Sequence, residues 1–412
     1  MKHCKALLIL LILVSFLSTA CRGKTSSQAE AACSIKVGII TSQTGTHSAA
    51  GQEQMRGYEI ALDEIKATGG IAGCQVELLV KDDASSPQQG QLAVKELTEQ
   101  DGVPIIIGAF SSSITMPIAG VANVYKIPFL VPTASSDLIT TQGYEWVFRI
   151  NAPSTEYANT ALEFAASLQD EKAIDTLAVI YDDSLFGESA AVAAAMGASK
   201  RGLRVVAYEV YKAGADDYTP LLSRVKEADP DAVYLASYLK EAILLLQQSE
   251  ALDLNPKLYL GNAGGFVMPE FLMAGKHAEY IVATSQWAPD VNWPGAAEFA
   301  QEFVERYGVA PGMRSAETYT ALYVVKDAIG RAGEQEALDW TDIAKVRLAI
   351  RDALKSTNLA ETIFGPIRFD RNGQTPHPVV LVQVIDGQFV SVYPEEYRAC
   401  APIVPVPSWA ER

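Results

Sequence analysis

The sequence predicts an α/β protein of two doubly wound lobes with mostly parallel central sheets, and three observations carry that reading. Short β-branched runs alternate with amphipathic helical stretches from residue 35 onward, and repeated βα units imply a parallel sheet covered by helices on both faces. The pattern restarts near Phe148-Arg149-Ile150-Asn151, as a second unit of the same kind would. The chain has 412 residues, of which 49% are hydrophobic, enough to fill more than one ordinary core.

The chain opens with Lys2 and Lys5, an apolar run over residues 6–14, and the small residues Ser18, Thr19 and Ala20 before Cys21. This pattern predicts a signal peptide over residues 1–20, because the run is shorter than the roughly 20 residues a spanning helix needs. Ser18-Thr19-Ala20-Cys21 resembles the bacterial lipobox, which implies a lipidated Cys21. The small polar stretch that follows predicts a flexible tether, residues 21–33.

The first unit is a strand at 35–40, then a helix in which Met55, Tyr58, Leu62 and Ile65 recur at three- and four-residue spacing until Gly69-Gly70 stops it. Strands at 76–80, 103–107 and 129–131 follow, separated by helices at 88–99 and 116–124. Cys33 and Cys74 each precede a strand of this unit. If those strands are parallel neighbours, their N-terminal ends lie side by side, and a Cys33–Cys74 disulfide is expected in an exported chain. Cys400 would then be unpaired.

The second unit begins with a helix at 155–168, a strand at 177–181 and a helix at 186–201. Strands at 205–210, 232–236 and 258–261 follow, with helices at 218–228 and 241–251 between them. After a β-branched run at 280–283 come helices at 296–307, 316–331 and 343–355, without strands for a third lobe, so these helices must cover an existing one. Residues 365–369 read as a strand, and 379–385 with 389–392 read as a hairpin turning at Asp386-Gly387. Two such sheets in one chain predict a cleft between lobes, with ligand groups beyond the carboxyl ends of the strands.

The formal net charge of -16 argues against a nucleic-acid partner. Four histidines, His3, His47, His277 and His377, show no metal-ligand spacing, so no metal is expected. There is no nucleophile elbow, no Walker loop and no dinucleotide-binding glycine loop. Neither a cofactor nor an enzymatic activity is expected. Asp82-Asp83 and Asp182-Asp183 follow strands, where they could meet a ligand or cap the next helix. More telling are Ser111-Ser112-Ser113 after the strand at 103–107 and Thr133-Ala134-Ser135-Ser136 after the strand at 129–131. Two hydroxyl clusters at adjacent strand ends, each before a helix, predict a shared site for an oxyanion such as a carboxylate.

Several motifs in order carry a family resemblance: Ile35-Lys36-Val37-Gly38 with Thr44-Gly45 and Gly51, Gly69-Gly70-Ile71, Lys81-Asp82-Asp83, Gly108 with the serine run, Ile127-Pro128, Tyr181-Asp182 with Phe186-Gly187, and Gly365-Pro366. From residue 34 to about 392 the chain resembles the type I periplasmic binding proteins of branched-chain amino-acid and amide/urea ABC importers. The resemblance implies lobes joined by three crossovers near Asn151, Ser285 and Phe364, closing on a ligand at a hinge. Lobe 1 would then comprise 34–151 with 286–364, and lobe 2 152–285 with 365–412. It also implies carboxylate contacts from Ser112, Thr133 and Ser135, with Ser113 adjacent, and aromatic contacts from Phe186 and Tyr238. The chain departs from the amino-acid binders at Asn262-Ala263-Gly264, where they place an acid for the ligand ammonium, and at Ala50, where they tend to have an aromatic ring. Asp183 is the candidate replacement for the acid.

The expected function is an extracytoplasmic solute-binding lipoprotein, monomeric, delivering a small carboxylated solute (an amino acid or a related acid or amide) to an ABC permease in the membrane. A sensor of the same fold would ordinarily carry a spanning or signalling segment, and an α/β hydrolase would need a nucleophile with its base. The sequence shows neither.

Overall fold

The computed structural model describes residues 33–335 and 339–412. The expected signal peptide, the lipidated Cys21 and all of the tether except Cys33 lie outside the described residues. Strands β1 (Ser34–Thr41), β2 (Gln75–Asp82), β3 (Ile106–Gly108), β4 (Phe129–Val131) and β5 (Val147–Arg149) alternate with helices α1 (Ser48–Ala67), α2 (Pro87–Lys95), α3 (Ser112–Val124) and the short α4 (Leu138–Thr141). They make an all-parallel sheet in the order β2-β1-β3-β4-β5. Ile106 and Ile107 of β3 are wholly buried, as a central parallel strand covered on both faces must be, which is why this strand reads as a continuous apolar run without alternation.

The second unit runs through α5 (Ser154–Ser167), α6 (Gln169–Lys172), β6 (Thr176–Asp182), α7 (Leu185–Lys200), β7 (Arg204–Tyr211), α8 (Thr219–Glu227), β8 (Ala232–Ala236), α9 (Leu239–Ala251), β9 (Leu258–Gly261) and β10 (Val282–Ser285). Helices α10 (Ala296–Tyr307), α11 (Met313–Gln335) and α12 (Ile343–Lys355), a short ladder of β11 (Asn358–Leu359) with β12 (Ile367–Arg368), and the hairpin β13 (Val380–Ile385) and β14 (Gln388–Tyr393) complete the chain. The second sheet has the order β14-β13-β10-β9-β8-β6-β7 and is parallel except where β13 meets β10 and β14. The architecture is the two-sheet, doubly wound α/β arrangement that the βα alternation predicts.

The helices after β10 cover the first lobe, with α11 lying along α1. The approach is close because Gly57 has no side chain: a Cβ there would stand 2.1 Å from the Ser315 carbonyl oxygen. Gly57→Ala is therefore expected to cost about 2 kcal/mol by forcing the two helices apart, measured as a lowered urea midpoint; an unchanged midpoint would show that the helix pair adjusts freely.

Cys33 and Cys74 form a disulfide, with Cα atoms 4.8 Å apart. The register that pairs Ser34 with Gln75 brings them together. Cys400 is free. Helix α3 starts four residues before its apolar pattern does, because Ser112 and Ser113 form its first turn after an extended Ser111.

One boundary changes. The backbone N–H of Arg149 donates to Gly373 O at 2.7 Å and that of Thr375 donates to Arg149 O at 2.9 Å, with a parallel bridge between Arg149 and Gln374. Residues 373–375 thus lie on the β5 edge of the first sheet, and a division that gives all of 365–412 to the second lobe is corrected: the chain joins the second sheet only with β13.

Candidate functional site

In an open α/β sheet a crevice forms where strand order reverses, because the connections on either side leave for opposite faces. The first sheet reverses between β1 and β3, the second between β6 and β8. A narrow cleft joins the two places. Its first-lobe side is made by Phe110 and Ser112 beyond β3, Thr133 and Ser135 beyond β4, and Arg314 at the start of α11. Its second-lobe side is made by Phe186, Tyr238, Ala263 and Gly264. A larger hollow of about 880 Å³, bordered by Tyr319, Tyr323 and Trp340, draws on none of these residues.

Five of the seven expected ligand contacts therefore meet in one place: Ser112, Thr133, Ser135, Phe186 and Tyr238. Their circumstances differ. The Ser112 hydroxyl accepts the Ser136 N–H at 3.1 Å, so its own hydrogen remains for another acceptor. Thr133 Oγ1 donates to Ala109 O at 2.8 Å and accepts from Gln54 at 3.1 Å, which makes it a brace between loops. Ser135 Oγ accepts from Ser154 Oγ at 3.3 Å. Ser113 turns to the other lobe, where its hydroxyl accepts the Leu185 N–H at 3.2 Å. Ser136 and Ser189 hydroxyls meet at 2.7 Å across the same gap. These last two bonds span the two lobes.

Asp183 is not part of the cleft. It is exposed, and its carboxylate accepts the Ala213 N–H at 3.0 Å. Strand β6 ends at Asp182, and alternation sends the two neighbours to opposite sides. Asp182 is fully buried, accepts the Ser184 N–H at 2.9 Å, and burial pushes its carboxyl up to about 6. It does not line the cleft either, so the cleft lining includes no carboxylate.

Helices α3, α7, α9 and α11 all present their N-terminal ends here, through Ser112, Phe186, Tyr238 and Arg314. Each end carries partial positive charge and favours an anion. The walls are aromatic: the Tyr238 ring stands 5.2 Å from Phe186, 5.8 Å from Phe110 and 4.6 Å from His47. Burial pushes His47 down to about 4, so it is neutral there at pH 7.

Two supports escaped sequence reading. Arg149, wholly buried, donates to Ala134 O at 3.2 Å, Ser136 O at 2.7 Å, Thr140 Oγ1 at 3.2 Å and Gln374 Oε1 at 2.6 Å, fixing the loop that carries Thr133 and Ser135. The crossovers are tied through Gln286, whose Oε1 accepts the Ala152 N–H at 2.7 Å and lies 3.0 Å from the Tyr157 hydroxyl. That hydroxyl also lies 2.6 Å from Asn151 Oδ1, and Gln374 Nε2 donates to Asn151 O at 2.7 Å. Arg314 had a visible signal that went unused: a cation at a helix start opposes the helix dipole and so calls for an explanation.

Among relatives, a Leu/Ile/Val-binding protein homolog of Brucella suis biovar 1 (strain 1330) is 29% identical over 382 residues, covering 89% of this chain and 93% of its own. The leucine-binding protein LivK of Thermotoga maritima superposes with a TM-score of 0.77 at 25% identity, over 87% of this chain and 98% of that one. A solute-binding protein of R. palustris, solved with benzoate, also gives 0.77, at 18% identity, over 89% and 98% of the two chains. The family described as periplasmic binding protein matches residues 34–388, which takes in the first sheet, the second as far as the start of β14, and every residue of the cleft. On that match and this geometry, the chain belongs to the periplasmic binding protein family, whose members capture solutes for ABC transporters and are not enzymes.

Proposed function

We propose that this protein is the solute-capturing component of an ABC importer, held outside the cytoplasm by a lipid on Cys21, and that it closes as a monomer on a small carboxylated solute for delivery to a membrane permease. One observation carries the ligand class: the Ser112 and Ser135 hydroxyls lie with four helix N-terminal ends in a cleft whose lining includes no carboxylate. Oriented dipoles and hydroxyls of this kind compensate a carboxylate for the water it leaves. The bonds from Ser113 and Ser136 to the second lobe support closure as the binding event, since a ligand held by both lobes shifts the hinge toward the closed state. The Brucella and Thermotoga relatives are named for branched-chain amino acids and the R. palustris protein was solved with benzoate, so the fold accommodates acids with and without an amino group.

The test is a thermal-shift screen of the purified protein against amino acids, 2-oxo acids, aromatic acids, amides and urea. Ligand at a hundredfold excess over its dissociation constant adds about 2.7 kcal/mol to folded-state stability. Ser112→Ala combined with Ser135→Ala is expected to weaken the best carboxylate roughly thirtyfold, from about 1 kcal/mol for each lost hydrogen bond. Unchanged affinity in a folded double variant would refute the placement.

A further inference from the structure

Arg314 is 4% exposed. Its Nη2 donates to Gly264 O of the second lobe at 2.7 Å, and its guanidinium lies 5.0 Å from the centre of the Phe110 ring. Nε and Nη1 have no hydrogen-bond partner among the described residues. A buried guanidinium with two idle donors is costly, and it is met best by the paired oxygens of a planar anion. The side chain lines the same cleft as Ser112 and Ser135.

No residue lining the cleft carries a negative charge for an ammonium, and the two acids within electrostatic reach of Arg314, Glu53 and Glu317, stand outside the lining. Glu53 lies close by, but its Oε1 accepts the backbone N–H of Arg314 at 3.1 Å and it does not line the cleft. Glu317, one turn along α11, is fully buried and does not line it either. Burial pushes both carboxyls up toward the neutral form, Glu53 to about 7 and Glu317 well above the usual range. Asp183 points outward, Ala263 has no charge, and Gly264 O is already taken by Nη2. A zwitterionic ligand would bury its ammonium without a counter-charge and beside a cation, two penalties of the same sign.

We propose that Arg314 selects the ligand by charge, so that this cleft takes organic acids lacking an α-ammonium group in preference to the amino acids of the same carbon skeleton. This rests on the carboxylate reading above and narrows it. Because Nη2 holds the second lobe while Nε and Nη1 remain for the ligand, one side chain couples anion capture to closure.

The test is calorimetric titration of the purified protein with leucine, 4-methylpentanoate, 4-methyl-2-oxopentanoate and benzoate; the first three share one branched skeleton. At least one of the three amine-free acids is expected to bind about fiftyfold or more tighter than leucine, and Arg314→Gln to lose about fiftyfold on that acid, each roughly 2.3 kcal/mol by the affinity relation. Arg314→Lys keeps the charge without the fork and is expected to bind more weakly while still preferring the acid, which keeps the test decisive if the Gln variant does not fold. Leucine binding as tightly as the acids would overturn the inference and leave the carboxylate reading standing. Full acid affinity in Arg314→Gln, with loss in the Ser112/Ser135 double variant, would do the same. Binding of none of the four compounds would overturn both.

Discussion

Arg149→Met is expected to lower the stability of the fold by about 4 kcal/mol and to abolish solute capture. The residue is a wholly buried cation with no carboxylate hydrogen-bonded to it among the described residues, tolerated because its donors are matched to Ala134 O, Ser136 O, Thr140 Oγ1 and Gln374 Oε1. Burial pushes its guanidinium down to about 10, so the site opposes the charge and the bonds hold it. Removing the side chain recovers the desolvation but loses these charge-assisted bonds, leaving Ala134 O buried without its donor and Ser136 O with the Ile139 N–H alone. Hydrogen bonds to charged groups contribute about 1.5–3 kcal/mol each, and an orphaned buried acceptor costs about 1–3 kcal/mol, so loss outweighs recovery. The loop from Thr133 to Asp137 then loses its floor, while residues 373–375 stay on the β5 edge through the backbone bonds of Arg149. Arg149→Lys should recover part of the stability, since a single ammonium cannot reach acceptors arranged around a planar fork. Urea midpoints read the stability and thermal shift with the preferred acid reads the binding; a Met variant that loses less than about 1 kcal/mol, the ordinary cost of a single hydrogen bond, would show the loop to be self-supporting.

The contrast between what could and could not be read from the sequence follows the range of each signal. Strands β8 and β9 and helices α10 and α12 lie where their apolar runs place them, because Asp, Pro and Gly punctuate those runs locally. The hydroxyl clusters were legible for the same reason: position beyond a strand end is a local property once the βα alternation is recognised. Asp183 follows β6 as a ligand group would, but its carboxylate accepts the Ala213 N–H thirty residues away on an exposed surface, a pairing that no local pattern displays. The short pairing of 373–375 with Arg149 spans too few residues to show a period. The hinge ties Asn151, Tyr157, Gln286 and Gln374 through bonds that reach as far as 223 residues apart in the chain, and no window along the sequence contains them. Arg314 and Glu53 belong to the same class: an ordinary cation and an ordinary acid in sequence, made unusual only by burial against one another's helices.

Glu53 supplies the other large effect. Its Oε1 accepts the Arg314 N–H, in the first turn of α11, at 3.1 Å, while Oε2 is buried without a partner among the described residues. Desolvation raises its carboxyl from 4.5 to about 7, the neighbouring Arg314 charge offsets part of that rise, and Glu270 adds to it. A carboxyl whose folded value is raised binds its proton more tightly in the folded state, so its contribution is fully present below pH 4.5 and is lost as pH rises through 7. Over that window the loss amounts to about 3 kcal/mol, taking 1.36 kcal/mol per unit. Glu53→Gln keeps the acceptor and cannot ionise. It is therefore expected to match the parent near pH 4 and to exceed it by about 3 kcal/mol at pH 8. The difference between the two proteins cancels the titration of every group not coupled to Glu53, which makes paired urea melts at pH 4 and pH 8 the measurement; an equal difference at both values would show that Glu53 does not change its protonation in this range. The same substitution bears on capture. Once Glu53 ionises it offsets the charge of Arg314, so acid affinity in the parent should fall as pH rises through 7 and stay more nearly level in Glu53→Gln. Titration of both proteins with 4-methylpentanoate at pH 6 and pH 8 separates that outcome from a purely structural role, in which stability would move and affinity would not.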